Sequence, residues 1–191
     1  MAAGDDIKIS QGKTQLFHSG RPLAAKDLNM VGMNVIYQGT DQPVTSSTTM
    51  VDSNITFTPD TGAVYYYELF IAYTAGATGD FKWRWNAQHA LFCRYTISAE
   101  TSTTAVDAGQ ADADQLTQPG AEMVLRRPAN ATEIGAGGMG VASALSAAYD
   151  RGTFATDGTS AAITLQFAQE TSHTTTINLR ANTTFLYQRI A

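Results

Sequence analysis

The residues of this chain that could do chemistry are three histidines, one cysteine, a close acidic pair, a glycine cluster and two tryptophans set among cations. His18, His89 and His173 are far apart, and no i,i+2 or i,i+4 spacing joins two of them as metal ligands. Neither a G-x-S-x-G elbow nor an H-E-x-x-H helix is present. Cys93 is the single cysteine, which excludes an intrachain disulfide framework and a multi-cysteine metal site. It falls in the apolar stretch 91–97, where a buried structural thiol is expected rather than a nucleophile. Asp112 and Asp114 could approach calcium, but the dense run of oxygen ligands ending in a bidentate glutamate is missing, so a solvated loop is expected. GAGGMG at 135–140 lacks the phosphate-loop lysine and opens no βαβ unit; it reads as a flexible loop. Trp83 and Trp85, flanked by Lys82 and Arg84, admit two readings. They form a sugar- or base-stacking platform, or they pack the core while the cations face water; the strict alternation favours the core. No acid/base set, metal or cofactor follows, and a non-enzymatic role is expected.

The elements that must position these residues read as strands. Ile55-Thr56-Phe57-Thr58 alternates and runs into the turn Pro59-Asp60-Thr61-Gly62. Residues 63–74, AVYYYELFIAYT, are apolar on both faces, which predicts a central strand covered on both sides. In 81–86 Phe81, Trp83 and Trp85 share one face, and Lys82, Arg84 and Asn86 the other, as in a half-exposed antiparallel strand. Further strands are expected at 91–97 and 123–125, with 141–149 ambiguous between helix and strand and leaning to strand. A hairpin is expected from 153–156 through Asp157-Gly158 to 162–169, followed by strands at 177–179 and 184–190. Residues 98–120 form a long polar loop. About eight short strands without intervening helices predict a mainly β protein: an antiparallel, jelly-roll-like β-sandwich over 41–191.

Residues 1–40 differ. Gly12, Gly20, Gly32 and Gly39 interrupt them, only 24–30 looks helical, and Phe17, Leu23 and Leu28 are too spread out for a core of their own. Two readings stand: a first strand and loop of the domain, or an N-terminal arm docking on another chain through those three residues, the arm being favoured.

The chain has 191 residues and a net charge of −5, with 15% charged residues against the ~25% usual for soluble domains. No basic stripe suggests nucleic acid, and no apolar run reaches the ~18 residues of a membrane span. MAAGDDIKIS has no apolar h-region, so no secretory signal is expected and the sequons at Asn54, Asn130 and Asn182 carry no expectation of glycosylation.

SGRPLAAKDLNMV at 19–31 resembles a G-x-x-L-x-A-x-x-L-N segment of tailed-phage tail and head appendage proteins, through Gly20, Leu23, Leu28, Asn29 and Ala25, the last one position off the usual spacing. Residues 48–86 are similar to the opening strands of small β-rich virion proteins of tailed bacteriophages. Residues 162–191 resemble their later part: Leu165, Phe167, Ala168 and Gln169 match an L-x-L-x-[WF]-A-Q strand, and Arg180, Ala181, Thr183 and Leu186 approximate the final R-A-x-[ST]-x-L strand. The resemblance implies a structural protein of the particle, of head-decoration, minor tail or fibre type, made in the host cytoplasm and carried in the virion. A capsid decoration protein bound to the major capsid protein is the first expectation, and a tail or fibre component touching the host surface the alternative. The doubly apolar strand 63–74 adds the expectation of a homotrimer. A carbohydrate-binding module, taking a host surface glycan on Trp83 and Trp85, is the alternative of another class.

Overall fold

Period-two alternation recurs along the chain, and every regular element among the described residues is a strand. The structure, a computed structural model, describes residues 7–8, 16–17, 32–76, 78–99, 123–130, 132–138 and 145–191. In chain order the strands are β1 Ile7–Lys8, β2 Leu16–Phe17, β3 Asn34–Tyr37, β4 Gln42–Val44, β5 Val51–Phe57, β6 Val64–Thr74 and β7 Phe81–Asn86. They continue as β8 Ala90–Ala99, β9 Met123–Arg126, β10 Ile134–Ala136, β11 Leu145–Thr156, β12 Ile163–Gln169, β13 Ile177–Leu179 and β14 Thr184–Arg189.

Two antiparallel sheets pack face to face as a β-sandwich. The large sheet has the order β3-β14-β6-β11-β8-β9, with β13 joining β4 to the far end of β6. The small sheet has the order β10-β7-β12-β5. β1 and β2 pair with each other.

Inward-facing aromatic rings fill the space between the sheets. Tyr73 of the large sheet stacks on Phe81 of the small one at 4.5 Å, and Trp85 meets Phe185 at 5.1 Å and Tyr67 edge-on at 5.8 Å. Offset and edge-on pairs of this kind add ~0.5–1.5 kcal/mol each beyond the area they bury. Leu165 and Phe167 of β12 are fully buried beneath them, in the register expected from the sequence.

Several expectations are corrected. The 153–169 segment is not a hairpin. β11 lies in the large sheet between β6 and β8, and β12 in the small sheet between β5 and β7. The intervening turn crosses from one layer to the other, held by the Asp157 carboxylate, which accepts the Thr159 amide at 2.7 Å. β11 also absorbs most of the ambiguous 141–149 region. Gly135 and Ala136 of the glycine cluster join Ile134 in an edge strand on β7 instead of a loop. Residues 34–40, read from the sequence as part of the arm, are tied to the sandwich. β3 is hydrogen-bonded to β14, and Gln38 is fully buried, its amide group bonded to Thr40, Gln42 and Asn54. The possible helix at 24–30 and most of the 98–120 loop lie outside the described residues.

One glycine inside a strand has a direct steric reason. A Cβ on Gly152 would lie 2.2 Å from the Cys93 carbonyl oxygen and 2.7 Å from the Arg94 Cα, so β11 and β8 pair there only because the side chain is absent.

Candidate functional site

The residues singled out in the sequence do not converge. His89 sits in the turn before β8, its Nδ1 3.0 Å from Asp157. The His173 Nδ1 accepts the Thr175 amide in another loop at 3.0 Å. His18, Leu23, Leu28, Asp112 and Asp114 lie outside the described residues, and Phe17 is placed in β2. Trp83 and Trp85 are 0% and 2% exposed. They pack the core, so the stacking platform that a glycan would need is not formed by them. Lys82 and Arg84, on the opposite face of β7, reach Glu133 at 3.1 and 3.4 Å.

Cys93 corrects a further expectation: its side chain is exposed. The cause is the register of β8. Its inward positions are Phe92, Arg94, Thr96 and Ser98, all buried, while Leu91, Cys93, Tyr95 and Ile97 point outward. The strand is polar inside and apolar outside, the reverse of the usual sheet pattern.

A buried ion pair makes this register stable. The Arg94 guanidinium donates to the Asp150 carboxylate of neighbouring β11, and both side chains are fully buried. Asp150 also accepts the Tyr67 hydroxyl at 2.8 Å and the Trp83 indole N–H at 3.2 Å, which ties the small sheet to the large. The rest of the guanidinium donates to the carbonyls of Asn130 at 2.8 Å and Thr132 at 2.7 Å. Asn130 takes a left-handed backbone, φ 44°, and its side-chain oxygen accepts the Phe92 amide at 2.9 Å. That bend brings the carbonyl to the arginine. Burial pushes the Asp150 carboxyl up, and Arg94, Tyr67 and Trp83 act against it. Arg94, Asp150, Tyr67 and the Trp83 indole are each engaged with another group and fix the strands, while Thr96 Oγ1, across from Asp150, and Trp85 Nε1, beside Tyr67, are buried without a partner among the described residues.

The two outer faces of the sandwich differ in kind. On the small sheet the outward positions are polar and mutually bonded: Thr56 with Thr164 at 2.8 Å, Gln166 with Arg84 at 2.8 Å and with Asp52 at 2.7 Å. On the large sheet the outward positions are mostly apolar. Across paired strands one row runs Tyr37, Thr184, Phe70, Tyr149, Ile97 and Leu125. Tyr37 is 68%, Phe70 46% and Leu125 67% exposed. The covering expected on both sides of 63–74 is complete on the inner side; on the outer side Ala72 and Thr74 are buried, Tyr66 and Glu68 half-buried and Phe70 exposed. The strand positions of this outer face carry two charges, Glu68 and Arg151, which pair with each other at 3.3 Å. Arg151 also lies over the Tyr66 ring, 5.3 Å from its centroid. Hydrogen bonds from Tyr66 and then Tyr149, with Arg151 adding its charge, hold the Glu68 carboxyl below its usual range. Burial and Glu68 push the Tyr149 hydroxyl up to about 12.

An extensive apolar sheet face bordered by polar groups is the signature of an interaction surface, and it is the candidate site of this chain. The sequence carried a trace of it in the doubly apolar 63–74 segment. The inversion of β8 could not be read, because the partner that makes Arg94 tolerable inside lies 56 residues away.

The sequence matches no protein-family model and no curated protein. Among solved structures the chain is similar to the infectious bursal disease virus VP2 subviral particle, at 8% identity and a TM-score of 0.22, over 84% of this chain and 38% of that one. It is similar to the infectious bursal disease virus Gx strain structure at 8% identity and a TM-score of 0.21, over 99% of this chain and 43% of that one. The chain spans about two fifths of the length of those chains, and a likeness this slight transfers neither topology nor function.

Proposed function

We propose that this chain is a non-enzymatic structural protein of a tailed-bacteriophage virion, a capsid decoration protein that binds the major capsid protein as a homotrimer. The observation that carries the reading is the apolar outer face of the large sheet. A monomer in water gains nothing from placing Leu91, Leu125 and Leu145 outside while an arginine and an aspartate are held within. A subunit of a protein assembly does gain, because the outer face is buried on assembly. The resemblance of residues 48–86 and 162–191 to phage virion proteins supplies the particle, and the segment before Asn34 supplies the attachment to it. The inward tryptophans disfavour the carbohydrate-binding alternative.

The test is to locate the chain in an electron-microscopy reconstruction of the whole particle. Density in threefold clusters on the head surface is the expected result. Density on the tail would replace decoration with the tail or fibre reading, and absence of the chain from purified particles would overturn the virion role.

A further inference from the structure

We propose that the outer face of the large sheet is the surface by which copies of this chain pack on one another. This rests on the reading of the chain as a self-associating virion protein and assigns the face that does the work.

Strands about 4.8 Å apart put roughly 24 Å between the axes of β3 and β9, and a rise of about 3.4 Å per residue makes β11 roughly 34 Å long from Leu145 to Ala155. The face therefore offers on the order of 600–800 Å² in projection. A standard protein–protein interface takes about 800 Å² per partner, so the face is large enough for a stable contact with one other surface.

The charge pattern selects the occupant. The chain carries −5 overall, and copies repel one another at a distance. On the strand positions of this face Glu68 and Arg151 neutralise each other, so another copy can approach it without net repulsion from the face itself. The two charges on these strand positions are paired with each other, and Arg127, just past β9, borders the face beside Cys93, Tyr95 and Leu125. The polar outer face of the small sheet, with its ladder of bonded side chains, is already satisfied and suited to water. An apolar, neutral and broad surface suits contact with further copies of this chain, as at the core of homo-oligomeric interfaces.

The experiment uses the full chain. Sedimentation is measured for the parent protein, for Leu125→Glu and Val35→Glu at opposite edges of the face, and for Asn54→Glu on the small sheet, each with its melting curve. The parent and Asn54→Glu should associate at micromolar concentration. Leu125→Glu and Val35→Glu should weaken association by about a hundredfold while melting as cooperatively as the parent, since each places an unpaired charge in an apolar contact. In the unaltered chain, the rate of Cys93 alkylation should fall as protein concentration rises through the association range, because that thiol lies on the same face. This reading needs no variant to fold. Association that persists in both face variants, together with alkylation independent of concentration, would overturn the assignment of the face and leave self-association standing. A parent chain that stays monomeric would overturn self-association and with it this proposal. Face variants that lose particle binding from a monomeric parent would give the face to the capsid partner instead.

Discussion

Replacing Arg94 with methionine removes the cation from the inside of the sandwich while keeping most of the stem's volume. Three acceptors lose their donor: the Asp150 carboxylate and the carbonyls of Asn130 and Thr132. Asp150 keeps its bonds from Tyr67 and Trp83 but becomes a fully buried carboxylate with no counter-charge. Breaking one side of a buried ion pair costs about 3–5 kcal/mol. The orphaned carbonyls lie toward the rim, where water reaches them, and add at most about 1 kcal/mol more. The expected loss of ~3–6 kcal/mol is a large part of the ~5–15 kcal/mol typical of a domain. Removing both partners in Arg94→Met/Asp150→Leu leaves no stranded charge, so the double variant should be more stable than the sum of the single losses predicts, by about 2–3 kcal/mol. Urea denaturation at one fixed protein concentration measures all three, with a constant m-value as the check on comparability. A loss under about 1 kcal/mol for Arg94→Met, or strict additivity in the double variant, would refute the view that this pair holds the inverted register of β8.

Phe167→Ala should cost about 3–5 kcal/mol because the ring is fully buried between the sheets, while Gln166→Ala, one position away on the bonded outer face, should cost under about 1 kcal/mol; near-equal losses in melting would contradict the register of β12. Deleting residues 1–31 should leave the melting transition of the sandwich intact and abolish attachment to particles, whereas deleting 1–40 strips β3 and Gln38 from the large sheet and should lower the melting temperature; binding assays on purified particles and melting curves separate the two. The depressed Glu68 carboxyl makes a contribution that is complete above the ordinary carboxylate pKa, because there the unfolded chain is also deprotonated. That contribution is lost as pH falls through the lower folded value, so Glu68→Gln should flatten the fall of melting temperature on acidification, and superimposable pH profiles for the two proteins would count against the Tyr66–Glu68–Tyr149 arrangement.

Alternation alone determined where β6, β7 and β12 run and which of their faces turns inward, since a period-two pattern with large apolar residues on one side leaves a single register that buries them. It was enough to place Trp83, Trp85, Leu165 and Phe167 in the core of a β-sandwich. The same logic misplaced Cys93. Leu91, Cys93, Tyr95 and Ile97 outscore Phe92, Arg94, Thr96 and Ser98 in any local reckoning of hydrophobicity, and only the approach of Asp150 from another strand makes the polar set the inner one. The layer change between β11 and β12 was equally hidden, because a turn states that the chain reverses but not which sheet receives it. The outer apolar face has the same origin. It is made of residues contributed by six strands that meet only when the large sheet is assembled, and each strand by itself shows two or three of them. Local sequence thus set the strands and most of their inner faces, while the long-range pairing of Arg94 with Asp150 decided which side of the large sheet is left for a partner.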